Sequence, residues 1–180
     1  MASIDEYRER VGLVLASLQI PPDFIASRAL PLCQEAETLV IAELGPDGRE
    51  HHLVPAAADA WRAMRAAARA DGLEIRIVCA FRGLDRQAEI VRRKLARGLS
   101  PEEIFEVSAP PGYSEHHTGC AVDVGMDGAA QLELGFGQTA AFRWLSDNAK
   151  SFSFFLSFPA GNPYGYAFEP WHWCFKSELV

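Results

Sequence analysis

The chain has 180 residues, of which 49% are hydrophobic and 23% charged, as in an ordinary globular protein with a single core. Its formal net charge is -7, and it lacks a concentrated Lys/Arg cluster, which argues against a nucleic-acid partner. No segment approaches the apolar length of a membrane span, and the first residues lack the pattern of a secretory signal, so we expect a cytoplasmic protein, or a periplasmic or extracellular one if a signal segment was removed.

The first part of the chain predicts helices and a hairpin. Ser3 and Glu6 have the spacing of a capping box, which predicts a helix from there to about Leu18, before two prolines. A β-type run at residues 38–44 and a return strand at 51–54 flank a Gly-Pro-Asp-Gly turn. The Ala-rich residues 56–70 predict a helix, which Asp71 and Gly72 end.

The rest of the chain alternates strands and helices before ending in strands. We predict strands at residues 75–81, 119–124, 152–158 and 164–175, and helices at 85–96, from Ser100 and at 139–150. Helices early and paired strands late predict an α+β fold, with a central, largely antiparallel sheet flanked by helices.

Two segments place a histidine close to a carboxylate. His116 is followed by Asp123, and Glu169 precedes His172. Together they supply two imidazoles, a carboxylate ligand and a spare carboxylate, which is what a hydrolytic zinc site needs, because three protein ligands leave one position open for water. Zinc lowers the pKa of that water, and Glu169 is the candidate base that takes its proton.

The backbone around Glu169 places a condition on this hypothesis. The helical H-E-x-x-H arrangement is absent from the sequence, and Pro170 argues against a helix here. In a regular strand Glu169 and His172 would point to opposite faces. Both reach one site only if the chain bends or bulges at Pro170 and Trp171.

Three blocks of sequence resemble a known family. The pattern S-x-H-x-x-G-x-A-x-D is matched at residues 114–123, and E-P-W-H at 169–172, with Gly165 and Tyr166 fitting its lead-in. Upstream, Arg82 is followed five residues later by Gln87. On these blocks the chain resembles the VanY-type D-alanyl-D-alanine carboxypeptidases, zinc peptidases that share their fold with the hedgehog signalling domain.

The resemblance implies a role for each matched residue. His116, Asp123 and His172 would bind Zn²⁺, and Glu169 would be the general base and acid. Arg82 would polarise the substrate or stabilise transition-state charge, as a fixed cation near a developing oxyanion does. Ser114 would help to bind the terminal carboxylate of the substrate, although it equally fits a role in holding its loop through a local backbone hydrogen bond. Gln87 would also bind substrate.

The resemblance also divides the chain. We expect a single domain over 1–180, with an N-terminal helical and hairpin portion at 1–70 and the zinc peptidase core at 75–176.

Other notable residues have simpler interpretations. Trp171 and Trp173 alternate with His172 and are expected to pack in the core. His117 is expected to pack or support the site, and His51 and His52 to lie away from it. We expect free thiols at the cysteines, which lack C-x-x-C spacing: Cys33, Cys79, Cys120 and Cys174.

The chain departs from the family pattern at positions that concern specificity. Around Arg82 it has Cys-Ala-Phe-Arg-Gly where the family commonly has S-G-Y-R-S, and Cys174 stands where the family usually has Arg. Zinc chemistry does not depend on these positions. The peptide specificity is therefore less firmly implied than the metal site.

The leading hypothesis is a zinc metallocarboxypeptidase that removes a terminal D-alanine, in a D,D or L,D manner, from a peptidoglycan stem peptide or muropeptide. One alternative is a cytoplasmic dipeptidase that cleaves free D-Ala-D-Ala. Another is a zinc-containing binding module without catalysis, against which Glu169 argues, because such a module needs no carboxylate beside the open coordination position.

Overall fold

The computed structural model describes residues 3–126 and 132–177. Its helices are α1 Ile4–Ser17, α2 Pro22–Ala26, α3 Pro55–Ala70, α4 Leu84–Leu95, α5 Pro101–Glu106 and α6 Ala140–Asn148. Its strands are β1 Val40–Leu44, β2 Glu50–Leu53, β3 Ile75–Cys79, β4 Ala121–Met126, β5 Phe154–Leu156 and β6 His172–Phe175. Single turns of 3₁₀ helix occur at Glu115–Thr118, Leu134–Gln138 and Ala149–Phe152.

The strands form two antiparallel sheets. β1 and β2 form a hairpin, and the four-stranded sheet has the order β3-β4-β6-β5, with every neighbouring pair antiparallel. The predicted α+β fold with a largely antiparallel sheet is confirmed. β4 lies between β3 and β6, and its first five residues are buried, so side chains at its start are enclosed by two neighbouring strands.

Two hydrophobic clusters support the fold. One packs α3 and α6 against the sheet and includes Trp61, Met64, Val122, Leu145 and Phe154. The other joins α1, α4 and α5 and includes Tyr7, Val11, Leu84, Val91, Ile104 and Phe105. Burial of these apolar side chains is the main favourable term that offsets the ordering of the chain.

A buried carboxylate ties the hairpin to the rest of the molecule. Glu43 on β1 is 5% exposed, and it accepts hydrogen bonds from Trp61 Nε1 of α3 at 2.9 Å and from the backbone N of Ile77 of β3 at 3.2 Å. Burial raises the pKa of Glu43 above its ordinary value, although these donors and Arg65 oppose the rise. The carboxylate therefore fixes three elements at one point.

The predicted helices agree with the structure, but the last two strands are shorter than predicted. α1, α3, α4, α5 and α6 lie at the predicted places, and the short α2 begins at Pro22, the second of the two prolines after α1. The long strand expected at 164–175 is wrong over 164–171, since β6 comprises only His172–Phe175. There the Asn162 side chain donates to the carbonyl of Tyr166 at 2.8 Å and accepts from the backbone N of Tyr164 at 3.2 Å, which holds a loop.

The four cysteines are free thiols, as predicted, and Cys33 and Cys174 are buried. Among the described residues, no helix has the length and apolar character required to cross a bilayer.

Candidate metal centre and substrate pocket

Strand register brings two of the three candidate ligands together, the Asp123 carboxylate and the His172 imidazole. Asp123 on β4 lies opposite His172 on β6 and opposite Cys79 on β3. Asp123 Oδ1 is 3.0 Å from His172 Nδ1, and both residues are at most 5% exposed. Two neighbouring strands therefore fix these side chains, and no mobile loop is needed to join them.

The second histidine is placed by the turn Glu115–Thr118. Gly119 ends that turn with φ +66°, and a Cβ there would lie 2.9 Å from Leu39 Cδ2, which explains why only glycine fits. The turn directs His116 Nε2 to 3.2 Å from Asp123 Oδ2. The Nδ1 atom of His116 lies 2.7 Å from the carbonyl of Ala80, so it carries the proton and leaves the Nε2 lone pair free for a metal.

The three donor groups fit a zinc ion. Around a tetrahedral zinc with bonds of 2.0–2.1 Å, neighbouring ligand atoms are about 3.3 Å apart. Asp123 Oδ2 is 3.2 Å from His116 Nε2 and Asp123 Oδ1 is 3.0 Å from His172 Nδ1, so each imidazole lies at that spacing from one oxygen of the carboxylate. The rings of His116 and His172 are perpendicular, with centroids 4.9 Å apart. Burial opposes ionisation of Asp123, but the two histidines outweigh it and lower the pKa of its carboxyl.

The bend required between Glu169 and His172 is present. Pro170 and Trp171 form a turn in which the backbone N of His172 donates to the carbonyl of Glu169 at 3.1 Å. This turn brings Glu169 Oε2 to 3.9 Å from His172 Nδ1. Burial raises the pKa of Glu169 to about 7, and the nearby carboxylates of Asp123 and Glu115 add to the rise. A carboxylate with such a pKa is matched to proton transfer near neutral pH.

Arg82 and Ser114 lie together beside the histidines. Arg82 Nη2 donates to Ser114 Oγ at 3.5 Å, and Arg82 Nη1 donates to Cys79 Sγ at 3.6 Å. Both Arg82 and Ser114 line the same cavity as His116, Asp123, Glu169 and His172. Gln87 does not line it: this residue is 1% exposed and donates to the carbonyl of Ala109 at 2.5 Å, below the cavity wall.

The cavity has a volume of about 450 Å³ and a mixed polar and apolar lining. Besides the histidines and carboxylates, its polar lining residues are Arg82, Lys94, Ser108 and Ser114, and its aromatic lining residues are Phe158, Tyr166, Phe168 and Trp171. Trp173 is buried in the core as predicted, whereas Trp171 both packs against the core and lines the cavity.

The remaining histidines lie outside the cavity lining. His117 is fully buried; its Nε2 accepts from the backbone N of Gly112 at 3.0 Å, and its Nδ1 lies 2.5 Å from the carbonyl of Arg82. This bridge holds the loop before the histidines against the segment after β3. His51 and His52 line a separate pocket near Arg49.

Glu115 belongs to the site but was not singled out from the sequence. Its Oε2 lies 2.9 Å from His172 Nε2, on the side of the ring opposite Asp123. Although burial lowers the pKa of His172, the hydrogen bonds to Asp123 and Glu115 outweigh it and raise that pKa. The position of Glu115 beside His116 was a usable signal, since carboxylates commonly orient metal-binding histidines.

Cys79 offers a different donor set. Among the described residues, Cys79, His116 and Asp123 have ligand atoms within 4.8 Å of one another. Burial raises the pKa of the Cys79 thiol to about 11, and its sulfur accepts a hydrogen bond from Arg82 Nη1. The sequence motifs instead indicate the set of His116, Asp123 and His172.

Known proteins resemble this chain over the region that forms the site. The family model described as VanY, D-alanyl-D-alanine carboxypeptidase, matches residues 50–178. The chain is 32% identical over 169 residues to YodJ of Bacillus subtilis (strain 168), covering 88% of this chain and 62% of YodJ. It therefore spans less than two thirds of that relative.

Two further relatives are informative. One is the bifunctional D-Ala-D-Ala dipeptidase and D-Ala-D-Ala carboxypeptidase VanXYC of Enterococcus gallinarum, which is 31% identical over 147 residues, covering 77% of this chain and 74% of VanXYC. The other is the solved structure of the LD-carboxypeptidase LdcB, described as revealing the basis of peptidoglycan recognition. It has a TM-score of 0.72 and 31% identity, covering 81% of this chain and 71% of LdcB.

Proposed function

Because this chain belongs to the VanY family of D-alanyl-D-alanine carboxypeptidases, we propose that it is a zinc metallocarboxypeptidase that removes a terminal D-alanine from peptidoglycan-derived peptides. The observation that carries the proposal is the convergence of His116, Asp123, His172 and Glu169 on one cavity. Recognition of peptidoglycan by LdcB and the D-Ala-D-Ala activities of VanXYC support the substrate class.

The metal would be held by His116 Nε2, the Asp123 carboxylate and His172 Nδ1. When bound there, zinc supplies a Lewis acid for the scissile carbonyl and lowers the pKa of water. The protein contributes donor atoms that are fixed in advance. The carbonyl of Ala80 fixes the tautomer of His116, and Glu115 orients His172.

Glu169 moves the proton. Its carboxylate lies at the edge of the donor set, and with a pKa of about 7 it is ionised in a large fraction of molecules at neutral pH. It takes a proton from the attacking water at Oε2 and returns it to the leaving amine of D-alanine. General acid–base catalysis of this kind contributes about 10²- to 10⁴-fold to the rate.

Arg82 stabilises the charge that develops on the scissile carbonyl oxygen. Its guanidinium donates to neutral acceptors, Ser114 Oγ and Cys79 Sγ, and within the described ranges it forms no ion pair with a carboxylate. A fixed cation in a site that excludes water binds a developing oxyanion more strongly than a neutral carbonyl.

The test combines metal content with product release. We expect one zinc per chain in the purified protein, and release of D-alanine from a muropeptide ending in D-Ala that stops on chelation and returns on adding zinc. Glu169→Gln should lower the release at least about 10²-fold while zinc stays bound. Glu9→Gln, an exposed change on α1, is the matched control and should retain activity.

The possible results separate the hypotheses. Zinc without release from any wall peptide would favour a binding module, and an absence of zinc would contradict the metal site. Undiminished hydrolysis by zinc-loaded Glu169→Gln would contradict the assigned base.

A second candidate is a dipeptidase acting on free D-Ala-D-Ala. The observation in its favour is the similarity to VanXYC, which carries both dipeptidase and carboxypeptidase activities. Comparing kcat/KM for the free dipeptide with that for an acylated peptide ending in D-Ala-D-Ala distinguishes the two. A preference for the free dipeptide would identify a dipeptidase.

A further inference from the structure

The cavity contains a second cation that the proposed reaction does not use. Lys94, near the end of α4, extends to the loop after α5 and donates from Nζ to Ser108 Oγ at 2.5 Å. Lys94, Ser108 and Arg82 all line the cavity. An ammonium group has three donor protons, and this hydrogen bond uses one of them.

The charges in the cavity are arranged unevenly. The carboxylates gather around His172, which Asp123 and Glu115 contact and which Glu169 approaches to 3.9 Å. Within the described parts of the chain, neither Lys94 nor Arg82 forms an ion pair with a carboxylate. Among the described residues, these two cations of the cavity lining therefore lack a carboxylate partner, and a bound ligand with a negative charge would supply one.

Burial supports the same interpretation. Partial burial lowers the pKa of Lys94, nearby Arg82 lowers it further, and Glu169 raises it. All three residues line one cavity, so a ligand whose scissile carbonyl reaches Arg82 and Glu169 occupies the cavity that Lys94 also lines.

We propose that Lys94 binds the terminal carboxylate of the peptide and thereby restricts cleavage to the last residue. The inference rests on the proposed carboxypeptidase function and adds to it a residue that determines specificity. In a carboxypeptidase substrate, the terminal carboxylate is separated from the scissile carbonyl by one amino acid. Arg82 would act on the carbonyl and Lys94 on the carboxylate, while Ser108 holds the amine in place.

A competing explanation gives Lys94 only a structural role. Gln87, two helical turns earlier on α4, donates to the carbonyl of Ala109, so α4 holds the loop at 107–109 at two points. Loss of a loop contact would affect every substrate alike. Loss of a carboxylate partner would affect only substrates that carry the carboxylate.

The experiment compares an N-acetylated tripeptide ending in D-Ala-D-Ala with the same tripeptide carrying a C-terminal carboxamide. The wild type should cleave the acid much faster than the amide. Lys94→Gln, which keeps a donor for Ser108, and Lys94→Met should each lower kcat/KM for the acid about 10- to 100-fold, mainly through KM, because a charged hydrogen bond is lost. Cleavage of the amide should change less than about twofold.

Arg93→Gln is the matched control. Arg93 is the neighbouring residue on α4 and carries the same charge, but its side chain is 53% exposed and does not line the cavity. It should leave the ratio of acid to amide cleavage unchanged. A Lys94 variant that retains the wild-type ratio, or one that slows both substrates equally, would overturn the assignment of Lys94 while leaving the carboxypeptidase function intact.

Failure of the proposed function would look different. In that case the zinc-loaded wild type would cleave neither tripeptide. Should Lys94→Met fold poorly, as measured by its melting temperature, Lys94→Gln gives the same comparison with the loop contact retained.

Discussion

At the scale of single residues, the site depends on groups that orient the metal ligands. His172 is held from both sides, by Asp123 at Nδ1 and by Glu115 at Nε2. A carboxylate at the outer nitrogen of a metal-binding imidazole fixes the ring and raises its basicity. Glu115 therefore matters to zinc affinity even though it is not one of the proposed ligands.

Replacing Glu115 tests this role. Glu115→Ala should weaken zinc binding about 10- to 100-fold, as measured by competition with a chelator of known affinity. Glu115→Gln keeps an oxygen acceptor for His172 and should lose less. Equal affinity in the wild type and the Ala variant would show that the ring of His172 does not need this partner.

The sequence predicted the residues whose type is dictated by the reaction, but not the residues that support them. His116, Asp123, Glu169 and His172 were identified because zinc hydrolysis requires imidazole and carboxylate groups, and all four line one cavity. Glu115 and Lys94 are of residue types that are common on protein surfaces. Glu115 lies next to His116 in the sequence, but its contact with His172 depends on how the turn Glu115–Thr118 packs, and the position of Lys94 depends on how α4 packs beside the cavity.

At the scale of secondary-structure elements, the turn before β4 depends on glycine. Gly119 has φ +66°, and its surroundings leave no room for a Cβ. Gly98 has φ +86° with nothing within 4 Å of an added Cβ, so it provides a control for backbone strain alone. The two positions separate strain from crowding.

Alanine variants at Gly98 and Gly119 should lose different amounts of the free energy of unfolding. Gly98→Ala should lower the free energy of unfolding by about 1 kcal/mol, the usual cost of a left-handed conformation. Gly119→Ala should cost roughly 1 kcal/mol more than Gly98→Ala, because the added Cβ also crowds Leu39, Val54 and Ala36. Urea denaturation measures both, and equal losses would contradict the crowding at Gly119.

The stabilisation that Glu43 provides by linking the hairpin of β1 and β2 to the rest of the molecule should depend on pH. Burial raises the pKa of Glu43, so in the folded state its carboxyl holds a proton more tightly than in the unfolded chain. Its contribution to stability is fully present below the unfolded pKa of about 4.5 and is lost as the pH rises through the folded value.

Glu43→Gln removes that titration. Its stability should fall less than that of the wild type as the pH rises from about 4 to about 7, as measured by urea unfolding at a series of pH values. Parallel pH profiles for the two proteins would show that Glu43 does not titrate differently in the folded state.

Elements were predictable where local sequence decides them. The capping box of Ser3 and Glu6 is present, and α1 follows it. The segment before β6 was predicted wrongly because its aromatic residues favour a strand, while Asn162 and Pro170 fix a loop and a turn. The register of β4 against β6 depends on long-range pairing, and local sequence does not encode it.

At the scale of the whole molecule, zinc should stabilise the fold. A ligand that binds only the folded state at 100 times its Kd adds about 2.7 kcal/mol to stability. For a chain of 180 residues, this corresponds to a rise in Tm of roughly 5–10 °C.

Differential scanning calorimetry with zinc and with a chelator measures that rise. Glu169→Gln should keep the full rise, because Glu169 is not a proposed ligand, and His172→Ala should lose most of it. An unchanged Tm after chelation of the zinc-loaded wild type would contradict a metal site shared between strands.

The placement of Asp123 opposite His172 has a consequence for the order of folding. The two residues are 49 positions apart in sequence, and they meet only once β4 and β6 have paired in the correct register. A slip of one residue would turn Asp123 to the other face of the sheet. During refolding, the capacity to bind metal should therefore appear only after β4 and β6 have paired, later than the circular dichroism signal of the helices. A zinc-sensitive dye would then report when the chain reaches its native topology.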